Sequence, residues 1–99
     1  GEVQTVLKDN EVAGFVWLEL RDGTRHIHAL FVDPIFRKQG IARTVLADLE
    51  ENAPDQAQQL ELGVHRDNAR ARTIYEKAGF KLARELEEFD FWIMRKPLQ

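Results

Sequence analysis

Residues 25–43 read Arg25-His26-Ile27-His28-Ala29-Leu30-Phe31-Val32-Asp33-Pro34-Ile35-Phe36-Arg37-Lys38-Gln39-Gly40-Ile41-Ala42-Arg43, and an amphipathic pattern follows to Asn52. The segment from Arg25 to Val32 reads as a strand. Pro34 has no N–H and favours an extended Asp33, so the strand stops there and the backbone turns. Gly40 lets the main chain approach something bulky where a helix begins. The first turn of a helix carries N–H groups without internal partners and a partial positive charge, which together suit a phosphate. Arg37 and Lys38 add full positive charges, so the stretch reads as an anion-binding turn.

Composition bounds the rest. At 99 residues and 43% hydrophobic content the chain suits one globular domain, burying about 60–65% of its unfolded surface. Its net charge of −3 lacks the electrostatic footprint of a nucleic-acid binder, and its basic residues are clustered locally. It contains 0 cysteines, which excludes disulfides and thiolate metal sites and fits a cytoplasmic setting. No apolar run reaches membrane-spanning length, so no membrane partner is expected.

Outward from the turn, Val3–Leu7 and Val12–Leu20 alternate about the turn Lys8-Asp9-Asn10-Glu11 and predict a hairpin. Asp22-Gly23 returns the chain into Arg25–Val32 and completes an antiparallel meander. Ile41, Val45, Leu46 and Leu49 share one helical face, and Pro54 closes that helix. Leu60–Val64 has strand length, and a helical crossover makes it a parallel neighbour of Arg25–Val32. Asp67 or Asn68 caps a second helix carrying Ala71, Ile74, Tyr75 and Ala78, which Gly79 and Phe80 end. Lys81–Leu86 and Phe89–Met94 read as a final hairpin. The expected class is α/β (α+β): a mixed, mostly antiparallel sheet with a central parallel pair and two helices, in the order β-β-β-α-β-α-β-β.

Val32-Asp33-Pro34, then Arg37-x-x-Gly40-x-Ala42, then Asn68-Ala69 and Ile74-Tyr75-Glu76-Lys77-Ala78-Gly79-Phe80 together resemble the GNAT superfamily of acyl-CoA-dependent N-acyltransferases. The resemblance spans nearly all of the chain, and the two motifs in this order are far more specific than either alone. It implies that the pyrophosphate of coenzyme A lies on the turn formed by Arg37, Lys38, Gln39, Gly40, Ile41, Ala42 and Arg43. It also implies that the pantetheine arm follows Leu30, Phe31 and Val32, with the Leu30 N–H polarising the thioester carbonyl. Asn68 matches a cofactor-contacting position, and Tyr75 matches the tyrosine that protonates the departing thiolate. Each has a plainer alternative: Asn68 as a helix cap, Tyr75 as a structural tyrosine with a satisfied hydroxyl. Arg66, Arg70 and Arg72 suit a basic rim for the adenosine phosphate, but arginines at a helix start more often form a solvated face, and they are left outside the expected site. Ala42 stands where many relatives have glycine, and a small side chain suffices there.

His26 and His28, two apart on a strand, project from one face, and imidazole suits proton acceptance near neutrality. The arylalkylamine acetyltransferase branch shows the same His-x-His, so either histidine is a candidate general base. A half-buried polar contact is the plain alternative. With His65 they offer at most three nitrogen ligands from separate strands, so no metal is expected.

The resemblance implies acetyl transfer from acetyl-CoA to a primary amine, small-molecule or peptide, within a ternary complex. A non-catalytic CoA-binding or interaction domain on the same fold is the alternative. The family usually begins with a further strand and two helices that build much of the acceptor pocket, and nothing here corresponds to them. The chain is therefore expected to be an N-terminally shortened domain, a piece completed by a partner, or a compact variant. Without that first strand, Val3–Leu7 becomes an exposed edge, from which a homodimer is expected.

Overall fold

Asp22 and Gly23 adopt φ of 51° and 81°, and Asp9 and Asn10 take 51° and 68°, so both early hairpins close through left-handed pairs. Such pairs match the twist of the strands they join. A computed structural model of the chain describes residues 1–98. Its strands are β1 (Glu2–Lys8), β2 (Glu11–Arg21), β3 (Thr24–Val32), β4 (Gln59–His65), β5 (Lys81–Leu86) and β6 (Phe91–Pro97). Helix α1 (Ile41–Glu51) joins β3 to β4, and α2 (Ala69–Lys77) joins β4 to β5. The 6-stranded sheet runs β1-β2-β3-β4-β6-β5, antiparallel throughout except for the β3–β4 pair. No helix among the described residues is long and apolar enough to cross a membrane.

The final hairpin differs from the pattern-based expectation. Glu87–Phe89 forms a turn of 3-10 helix, and Asp90 sits at φ 54°, so β6 begins at Phe91 and continues to Pro97. Phe89 is spent on reversing the chain. β6, rather than β5, then pairs with β4 and leaves β5 at the sheet edge.

Both helices cover one face of the sheet. Ile41, Val45, Leu46 and Leu49 of α1 pack with Val16, Leu18, Ile27, Leu60, Leu62, Val64, Phe80 and Met94 in a single core. A fully buried leucine there contributes about 2 kcal/mol relative to exposure. α2 closes with a Schellman motif: Gly79 N–H donates to Glu76 O and Phe80 N–H to Tyr75 O, both at 3.0 Å, with Gly79 at φ 99°. Arg25 is buried on this face, its guanidinium 3.5 Å from Leu49 O at the C-terminal turn of α1 and 3.4 Å from the Glu2 carboxylate. A cation at that helix end complements the dipole. The opposite face carries Phe15, Trp17, Phe31 and Phe91, each more than a third exposed, and no described element covers it.

One irregularity sets which face each β3 residue meets. Trp17 pairs with Ala29 but Leu18 with Ile27, so His28 is an extra residue in β3, a bulge. Before it Arg25 and Ile27 face the helices, and after it Leu30 and Val32 do. The bulge thus puts His26 and His28 on the open face while returning Leu30 to the helix side.

Candidate functional site

The parallel β3–β4 ladder holds only four pairs, ending at Ile27 with Leu62, although both strands continue. Beyond that point the strands part. Asp33 N–H donates to Ala13 O at 2.7 Å, and hydrogen-bonded pairs alternate along an antiparallel ladder. The backbone groups of Phe31 therefore face β2, while those of Leu30 and Val32 face the gap left by β4. Gly14 makes this close approach possible, since a Cβ there would stand 1.9 Å from Phe31 O. A preformed slot results, bordered by the main-chain groups of Leu30 and the Val32 N–H, while Val32 O is taken by Arg37 Nε.

The slot opens on the helix side into a cleft of about 390 Å³ lined by Leu30, Phe31, Val32, Phe36, Arg37, Lys38, Gly40, Ile41, Ala42, Arg43, Asn68, Arg70, Ala71, Ile74 and Tyr75. At one end lies the N-terminus of α1. Gly40 is its N-cap at φ 73°, no side chain caps it, and no acidic residue sits in its first turn. Lys38 is also left-handed at φ 67°, and alternating backbone hand of this kind turns N–H groups toward a shared concavity. A Cβ on Gly40 would meet only Arg43 Nη2, at 3.6 Å, so the space before the helix is open. Arg37 Nε donates to Val32 O at 3.1 Å, tying the turn to the strand end. Of the residues expected on this turn, Gln39 alone does not line the cleft, and its amide nitrogen lies 3.5 Å from Ile35 O. Open, uncapped donors beside two arginines and a lysine fit a diphosphate.

Asn68 is the N-cap of α2: its Oδ1 accepts from Ala71 N–H at 3.2 Å. The amide nitrogen makes no hydrogen bond to a described residue, so one side chain both caps the helix and offers a donor to the cleft. Tyr75 packs against Phe80, with ring centroids 6.2 Å apart, and lines the same cleft. Its hydroxyl makes no hydrogen bond to a described residue, and the ring borders the open cleft. Burial pushes its phenol above the usual 10.0, so it stays a proton donor at neutral pH.

The histidines lie elsewhere. With Glu19, Arg21, Asp22, Thr24 and Glu61 they line a second concavity of about 420 Å³ on the open face. His26 Nδ1 is 2.7 Å from Glu61 Oε1, and His28 Nε2 is 2.8 Å from Glu19 Oε1. The two rings lie 4.7 Å apart, and His28 also packs on Trp17 at 4.6 Å. His65 stands apart against Phe91, and no set of metal-ligating side chains occurs among the described residues. The sheet separates these histidines from the cleft holding Tyr75, placing a base candidate and an acid candidate on opposite faces.

Glu61 was not among the expected site residues. The signal was present as a single acid interrupting Leu60-Glu61-Leu62, but only the β3–β4 register makes it the neighbour of His26. Burial would raise its carboxyl, yet hydrogen bonds from Arg95 and His26 outweigh this and hold it below the usual 4.5. Folded Glu61 thus binds protons less readily than unfolded Glu61. The resulting stability is present above about pH 4.5 and is lost as pH falls through the folded value. Urea midpoints measured from neutral to acidic pH are expected to fall below that point, less steeply in Glu61→Gln.

Similarity to known proteins follows the same outline. The family described as "Acetyltransferase (GNAT) domain" matches residues 2–96. A mycothiol acetyltransferase from Clavibacter michiganensis is 34% identical over 74 residues, covering 74% of this chain and 24% of that protein. The chain thus spans about a quarter of the length of this curated relative. A Bacillus subtilis acetyltransferase solved in complex with CoA superposes with a TM-score of 0.87 at 22% identity, over 100% of this chain and 78% of that one. A GNAT family acetyltransferase from Elizabethkingia anophelis, solved with acetyl-CoA bound, gives 0.86 at 20% identity, covering 99% and 76%. With residues 2–96 matched by the family model, the chain belongs to the GNAT acetyltransferase domain family.

Proposed function

We propose that this single domain transfers an acetyl group from acetyl-CoA to a primary amine by direct attack. The observation carrying the reading is the parting of β3 and β4 beside the uncapped start of α1, with the unbonded Tyr75 hydroxyl over the same cleft. Acetyl-CoA supplies the activated acyl group. The backbone N–H groups of residues 40–43, with Lys38 and Arg43, hold its pyrophosphate. Leu30 and Val32 align the pantetheine by main-chain bonds, and the Leu30 N–H faces the carbonyl oxygen on which negative charge grows. Such a donor contributes about 3 kcal/mol to the barrier.

An amine enters from the open face, where His26 or His28 removes its proton directly or through water. The nitrogen attacks the thioester carbon, the C–N bond forms, the nitrogen gives its second proton to solvent as the adduct collapses, and the C–S bond breaks. Tyr75 gives its proton to the sulfur, so amide and free thiol leave together, and solvent later returns a proton to the Tyr75 oxygen. No cysteine is available to carry an acyl group, and none is required. Release of thiol from acetyl-CoA across a panel of small primary amines, with the melting temperature followed as CoA is added, tests the reading. At 100 times its dissociation constant CoA should stabilise the fold by about 2.7 kcal/mol.

The uncovered apolar face favours one second reading, a CoA-binding module whose acceptor side is unfinished. A melting shift with CoA but no thiol release with any amine selects it.

A further inference from the structure

Four strands place Glu19, His26, Glu61 and Arg95 side by side in one row across the open face, since Glu19 pairs with His26, His26 with Glu61, and Glu61 with Arg95. Glu61 uses both carboxylate oxygens: Oε1 meets His26 Nδ1 at 2.7 Å and Oε2 accepts from Arg95 Nε at 2.7 Å. Its side chain is 17% exposed, against 31% for Glu19, so the Glu61 pair is the better shielded of the two histidine–carboxylate pairs. An ionised carboxylate can only accept, so each histidine nitrogen facing one must carry the hydrogen. His26 is thereby held with hydrogen on Nδ1 and its Nε2 lone pair free, while His28 is held the opposite way.

We infer that Glu61, itself fixed by Arg95, is the positioning residue that orients His26 and presents its Nε2 to the amine acceptor. This rests on the transfer reading above and selects His26 from the two candidate bases. Glu61 touches neither substrate nor reacting atoms; it sets the tautomer and the ring angle, and it stabilises the imidazolium formed when His26 Nε2 takes the ammonium proton. His28 is held less firmly, because Glu19 is more exposed than Glu61 and the arginine on its other oxygen, Arg21, is 75% exposed against 44% for Arg95.

The test is a double-mutant cycle on turnover with the amine giving the fastest thiol release, joined to 15N NMR of the histidine rings at a pH above the imidazole range. Glu61→Gln should lower kcat about 10-fold or more, with KM for acetyl-CoA unchanged because the donor cleft lies on the other face. In a His26→Ala background, Glu61→Gln should cost nothing further. The NMR signature should show hydrogen on Nδ1 of His26 in the native chain and a shift toward Nε2 in Glu61→Gln. An equal loss from Glu61→Gln with and without His26 overturns the positioning role while leaving the base assignment standing. Full activity of His26→Ala overturns the base assignment itself. If no amine is acetylated, the tautomer measurement decides: hydrogen on Nε2 of His26 in the native chain refutes the geometry, whatever the reaction.

Discussion

Tyr75→Phe is expected to lower turnover with acetyl-CoA by about 100-fold or more, the usual contribution of a placed general acid. KM for acetyl-CoA should change little, because the ring is retained and the lost hydroxyl bonds no described residue. For the same reason the melting temperature should stay close to that of the native chain, so a fall in rate cannot be ascribed to unfolding. The buried phenol lies above its usual 10.0, which keeps the donor protonated throughout the neutral range. The loss should therefore be flat with pH there. Unchanged thiol release by Tyr75→Phe at every pH would remove Tyr75 from the chemistry and leave it a packing residue on α2.

Gly40→Asp is expected to weaken CoA binding by about 100-fold or more while the domain remains folded. Aspartate tolerates the left-handed conformation better than most residues, and a Cβ at this position meets only the Arg43 side chain. Its carboxylate would, however, stand before the first turn of α1, where the N–H groups and dipole favour an anion. The protein's own anion then takes the place of the pyrophosphate and repels it. Gly40→Asn serves as the control, having nearly the same shape without the charge. Calorimetric titration with CoA should show a far larger loss for Asp than for Asn; equal losses would mean that space rather than charge governs this turn.

How far these features can be read from residues alone depends on whether the cause is local. The order of elements, the Asp22-Gly23 hairpin, the amphipathic face of α1 and the stop at Pro34 follow from periodicity and turn chemistry within a few residues. The turn proposed to hold the pyrophosphate is local too, since Gly40 and a helix start make it without help from elsewhere. The pattern starts the last strand at Phe89 and ends it at Met94, whereas it runs Phe91–Pro97, because Asp90 adopts a left-handed turn that no period announces.

Residue pattern thus determined most of the strands, the two helices and the open turn at Gly40, and the resemblance to the GNAT family singled out Asn68 and Tyr75 as candidates. Tertiary structure alone decided three further things. One is the parting of β3 from β4 after Ile27. The next is the His28 bulge, which sends the histidines to one face and Leu30 to the other. The last is the register that sets Glu61 between His26 and Arg95. Each concerns how two or more strands lie against one another. Pairing between strands far apart in the chain is fixed by the shared core they bury, and a shift of one residue exchanges the faces of every side chain.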